Sequence, residues 1–138
     1  METSPFKIVW SDALSMSNPE IDAEHQNFIH LVNKLNTEII SQKRDKAVVE
    51  QIMNRIMKDA IAHFSHEEHL FAEKEYPDAE EHTKIHSELI TKFEQALKVI
   101  QNSDFGEVWI KAGLEIKALL VEHVLNEDTK YIEYLRTE

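Results

Sequence analysis

Apolar residues recur at steps of three and four along four stretches of this chain. That period, sustained for about 20–30 residues at a time, admits helices and little else. Only two glycines and three prolines interrupt 138 residues, too little turn material for many short strands. Asn18-Pro19 opens the first helix, with Asn as cap, Pro at the first helical position, and Glu20 and Asp22 in the first turn. Polar residues from Ser41 end it, and Asp45 caps a second helix, which Tyr76-Pro77 breaks. Asp78 with Glu81, and Asp104 with Glu107, have capping-box spacing and open a third and a fourth. The expected helices cover about 19–40, 46–73, 78–101 and 105–135, behind an extended arm, 1–18, whose Trp10 packs on the bundle. Short connections make this an all-α, up-down-up-down antiparallel four-helix bundle, a single domain over 1–138.

The bulk chemistry narrows the function. A net charge of −11 repels phosphate backbones and anionic headgroups, so neither nucleic acid nor a membrane surface is an expected partner. Without cysteine there is no disulfide and no thiolate metal site. Met1 to Trp10 lacks the apolar run of a signal peptide, so the expected location is cytoplasmic.

The eight histidines are the unusual part. On the second helix Val49, Ile52, Met53, Ile56, Ala60, Leu70 and Phe71 share a face, and His63 and Glu67 sit at its centre. The third helix has the stripe Ile85, Leu89, Phe93, Leu97 and Ile100, centred on His82 and His86. His25 lies among Ile21, Ile29, Val32 and Ile39 of the first. His123 is in line with Trp109, Ile116, Leu119 and Leu120 of the fourth. One inward histidine is ordinarily a hydrogen-bonded core residue. Five at similar depth, with a buried carboxylate that costs several kcal/mol unless paired or metal-bound, point instead to a shared metal site. The i,i+4 pairs His63/Glu67 and His82/His86 put each pair's side chains one turn apart on one face.

Asp128 follows His123 by five residues, which turns it roughly 140° away on a regular helix. The apolar stripe shifts there too, toward Val124, Tyr131, Ile132 and Leu135. A π-bulge between His123 and Asp128 would bring Asp128 inward. His30, His66 and His69 lie off the inward faces and are expected in solvent, as is Glu68; a place beside the site, supporting a ligand, is the alternative for His66, and Tyr131 is read as packing.

These residues resemble the hemerythrin family, its bacterial single-domain members in particular. The resemblance is carried by Ile21-Asp22-Ala23-Glu24-His25, His63-Phe64-Ser65-His66-Glu67-Glu68, Tyr76-Pro77, His82-Thr83-Lys84-Ile85-His86 and His123-Val124-Leu125-Asn126-Glu127-Asp128. It runs from Trp10 to the end of the fourth helix. Glu24, where many relatives have Gln, is a departure without expected consequence.

The resemblance implies two iron ions bridged by an oxo or hydroxo group. His82, His86 and His123 would hold one, His25 and His63 the other, with Glu67 and Asp128 bridging. Two octahedral ions offer about twelve positions, and this set leaves one open, on the ion with two histidines. In the family that position takes dioxygen. Phe28, Phe64, Ile116 and Leu120 would wall it from water, and no Ser, Lys or Tyr in the ligand layer stands ready as a general acid or base. The expected function is reversible dioxygen binding for storage, delivery or scavenging. An oxygen or redox sensor, an enzyme acting on peroxide or nitric oxide, and a zinc or manganese protein are the alternatives.

Overall fold

A computed structural model describes residues 8–11, 15–41, 45–103 and 106–119. Helix α1 spans Pro19–Ile40, α2 Lys46–Glu73 and α3 Ala79–Gln101, and α4 is described over Glu107–Leu119. Helix α1 packs against α2 and α4, and α3 against the same two, which closes a four-helix bundle. The expected π-bulge, with His123, Asp128 and Tyr131, lies outside the described residues.

The helix ends follow from local chemistry. Asn18 accepts hydrogen bonds from the backbone N–H groups of Glu20 and Ile21, and Asp45 from that of Val48, which satisfies donors with no partner in the first turn. The expected box at Asp78 does not form: Asp78 makes no side-chain cap bond, and α3 begins one residue later, at Ala79. Its first turn keeps Glu80 and Glu81, whose charge suits the positive end of the helix.

Helix α2 ends well before Pro77. Glu75 takes a left-handed φ of 54°. The Tyr76 N–H then donates to Phe71 O at 2.9 Å and the Glu75 N–H to Ala72 O at 3.3 Å, the two bonds of a Schellman stop. A residue with a Cβ is strained in that position, by about 1–2 kcal/mol. Glu75→Gly should therefore stabilise the chain by about 0.5–1 kcal/mol net of the glycine's extra unfolded-state entropy, read as a higher urea midpoint at unchanged slope.

The arm is tied down by polar contacts. Asn33 accepts the Ile8 N–H and donates to Ile8 O, each at 2.8 Å. Asp22 accepts from Ser15 Oγ at 2.6 Å and from the Met16 N–H at 2.8 Å. Trp10 packs, partly buried, against the main core.

Two apolar clusters fill the interior. The larger gathers Phe28, Val32, Leu35, Ile56, Phe64, Phe93, Ile100, Trp109 and Ile116, among others. The smaller is Met16, Ile21, Phe71 and Tyr76. Between them in chain order come His25 on α1, Glu67 on α2, and His82 and His86 on α3, while His63 sits within the larger cluster's run, between Ala60 and Phe64. The apolar stripes read from sequence are buried or half-buried throughout the described residues. Helices α1 and α4 approach closely at Gly113, where an added Cβ would overlap Asn36 Oδ1 and lie 2.9 Å from Ile39 Cδ1. The buried Asn36 side chain donates across that contact to Gly113 O at 3.4 Å.

Candidate metal centre

The structure brings five of the seven expected ligands together. His25, His63, Glu67, His82 and His86 are all buried, and Glu67 is fully so at 0% exposure. They form two triads, His25–His63–Glu67 and Glu67–His82–His86, each able to present one donor atom per residue within 4.8 Å of the others. Glu67 belongs to both. Its Oε1 lies 3.4 Å from His63 Nε2, 3.3 Å from His86 Nε2 and 4.0 Å from His82 Nε2. Adjacent donors on an octahedral ion with bonds of about 2.1 Å stand about 3.0 Å apart, and opposite ones about 4.2 Å. The observed spacings fall in that window. The donor set, imidazole nitrogen with carboxylate oxygen, suits a divalent transition metal, so the residues fit a metal site. His123 and Asp128 lie outside the described residues.

Helical period sets this arrangement. His63 and Glu67 are one turn apart on α2, and His82 and His86 one turn apart on α3. Aromatic rings hold the imidazoles in place. His25 meets His63 edge to face at 4.9 Å, and Phe28 meets His63 at 5.3 Å. Phe64 stacks on His86 at 4.0 Å, with an interplanar angle of 11°. Of the four expected wall residues, Phe28, Phe64 and Ile116 are buried in the main core, and Leu120 lies outside the described residues. Phe71, read only as part of a stripe, also touches the site, edge to face with His82 at 4.8 Å. Its place one turn beyond Glu67 was the available signal.

Three expectations need correction. His66 is not simply in solvent: its side chain is 24% exposed, and its Nδ1 lies 2.7 Å from Glu24 Oε2. Glu24, expected to be without consequence, holds the outer edge of a candidate ligand, its Oε1 lying 2.6 Å from His63 Nδ1. Burial pushes the Glu24 carboxyl up, but hydrogen bonds and charge from His63, and then from His66, outweigh that and hold it below the usual carboxylate range. His30 is exposed as expected, and His69 is exposed and beside Glu73 at 3.1 Å. Glu68, expected in solvent, is instead partly buried, its Oε1 4.0 Å from His86 Nδ1, beyond hydrogen-bond reach. On the surface next to Glu24, a groove of about 330 Å³ between α1 and α2 is lined in part by Asn27, Phe28, Arg55 and Asp59.

A four-helix bundle with a buried cluster of histidines sharing a carboxylate defines a class of cation-binding bundle. The model of the Hemerythrin HHE cation binding domain matches residues 17–135, and the chain belongs to the hemerythrin family. Bacteriohemerythrin of Campylobacter jejuni is 29% identical over 125 residues, covering 88% of this chain and 90% of the relative. Bacteriohemerythrin of Pseudomonas aeruginosa is 25% identical over 134 residues, covering 94% and 82%. A crystal structure of a leucine-to-alanine mutant of hemerythrin superposes with a TM-score of 0.80 at 18% identity, covering 94% of this chain and 98% of that one, a likeness of fold. Among the described residues, no helix is long and apolar enough to cross a membrane.

Proposed function

We propose that this chain binds dioxygen reversibly at a pair of iron ions bridged by an oxo or hydroxo group. The observation that carries the reading is Glu67, fully buried and common to both donor triads. A carboxylate so placed is costly unless cations share it, and one side chain with two oxygens suits two adjacent ions. In this reading His25 and His63 would hold one ion and His82, His86 and His123 the other, with Glu67 and Asp128 as the carboxylates they would share. Iron supplies an open coordination position and reversible electron donation to a small diatomic ligand.

The protein's part is to bind and exclude. Imidazoles would outnumber carboxylates around the ions, and neutral ligands favour the higher oxidation states less than carboxylates do. Phe28, Phe64 and Ile116, each at most 2% exposed, keep water from the pocket, and Leu120 is assigned to the same wall. The family membership and the bacteriohemerythrin relatives support dioxygen as the ligand.

The test is metal analysis joined to optical spectra of the ferrous protein. We expect two irons per chain and a coloured adduct in air that reverts under vacuum. Rapid irreversible oxidation with turnover of peroxide or nitric oxide would favour an enzyme, and a preparation that takes up only zinc or manganese would sink the reading.

A further inference from the structure

We propose that His66 is a positioning residue for the ligand His63, acting through Glu24; this rests on the metal-centre reading above. The carboxylate of Glu24 spans two imidazoles of α2, with Oε1 at 2.6 Å from His63 Nδ1 and Oε2 at 2.7 Å from His66 Nδ1. An Nδ1–H on His63 donating to Glu24 fixes the tautomer that leaves the Nε2 lone pair for an ion, and Nε2 is the atom 3.4 Å from Glu67. The first contact therefore sets the direction of a ligand. The second sets the first.

Glu24 needs holding. Its side chain is 32% exposed beside the α1–α2 groove, where a long carboxylate in water would exchange among rotamers. A competing cation, Arg55, also lines that groove. Its Nε is engaged with Asp59 Oδ2 at 2.9 Å, and Asn27 Nδ2 donates to the same oxygen at 2.8 Å. Glu24 is thus left to the two histidines. With one oxygen on each imidazole, the carboxylate cannot turn without breaking a bond. His66 lies three residues beyond His63, on the flank of α2 that faces α1, so it reaches Glu24 without entering the ligand layer.

The test uses the full chain loaded with cobalt(II), read by its visible absorption, with release into excess EDTA timed for each variant. Removing the carboxylate in Glu24→Ala should speed cobalt loss by about 10–100-fold, the usual scale for a partner of a metal-bound imidazole. His66→Leu should speed it by about 10-fold while Glu24 is still present. His66→Asn, which keeps an N–H close to the place of Nδ1, should stay within about threefold of the native rate. The second readout is the His63 Nδ1–H proton resonance of the cobalt form. It should persist in the native protein and in His66→Asn, and vanish by exchange with water in His66→Leu. Native release and an intact resonance in His66→Leu would overturn the proposal, as would His66→Asn behaving like His66→Leu or Glu24→Ala behaving like native. Failure of the native chain to take up cobalt would instead remove the metal-centre reading, and this inference with it.

Discussion

Glu67→Gln is expected to reduce metal uptake from two ions per chain to at most one. The change is nearly isosteric, so the bundle can keep its shape while the charge common to both triads disappears. Each triad then depends on two imidazoles alone among the described residues. Affinity should fall by more than the about 100-fold that losing an outer partner of a ligand can cost. The metal-free protein should behave in the opposite sense. A neutral amide costs less to bury than a carboxylate, so its melting temperature should not fall. Cobalt titration with calorimetry on both forms reads the two halves of this expectation. Two tightly bound ions in Glu67→Gln would contradict the shared-carboxylate arrangement.

Phe64→Ala should cost about 3–5 kcal/mol of stability, the scale for deleting a buried aromatic ring. Phe64 is 2% exposed and lies flat on His86, tilted against His63 at 5.8 Å. Its loss leaves a void against two imidazoles on different helices, and the neighbours on α2 and α3 are too tightly packed to close it fully. Urea unfolding of the metal-free protein isolates the packing loss from any change in metal binding. A loss under about 1 kcal/mol would mean that the wall collapses freely and that Phe64 does not set the shape of the cavity.

Much of this architecture was legible in the linear chain because helical period fixes direction around an axis. The inward aim of His25, His63, Glu67, His82 and His86 needed only their place in the apolar stripes, and the structure buries all five. The Glu24–His66 contact was not legible, because period says nothing about how far one helix slides or rolls against the next. Glu24 is one residue from His25, and His66 one from Glu67, so both sit on flanks that a helical wheel assigns to solvent. Only the α1–α2 packing turns those flanks toward each other. The capping box at Asp78 fails for a related reason. Asp78 and Glu81 have the spacing, but the stop that precedes them sets the backbone at Asp78 to φ −103° and ψ 25°, away from the extended cap conformation of Asn18 and Asp45.

The division of the interior into a large apolar cluster and a cap of Met16, Ile21, Phe71 and Tyr76 has a bearing on how the molecule comes apart. Among the described residues that cap is four buried side chains with Leu70 and Ala79 packed on them, and imidazoles and a carboxylate lie beside it. Ions held there would act as rivets between the two parts. Chelation would then loosen the cap while the larger core stayed folded, so opening would spread from one end, as two cooperative units rather than one.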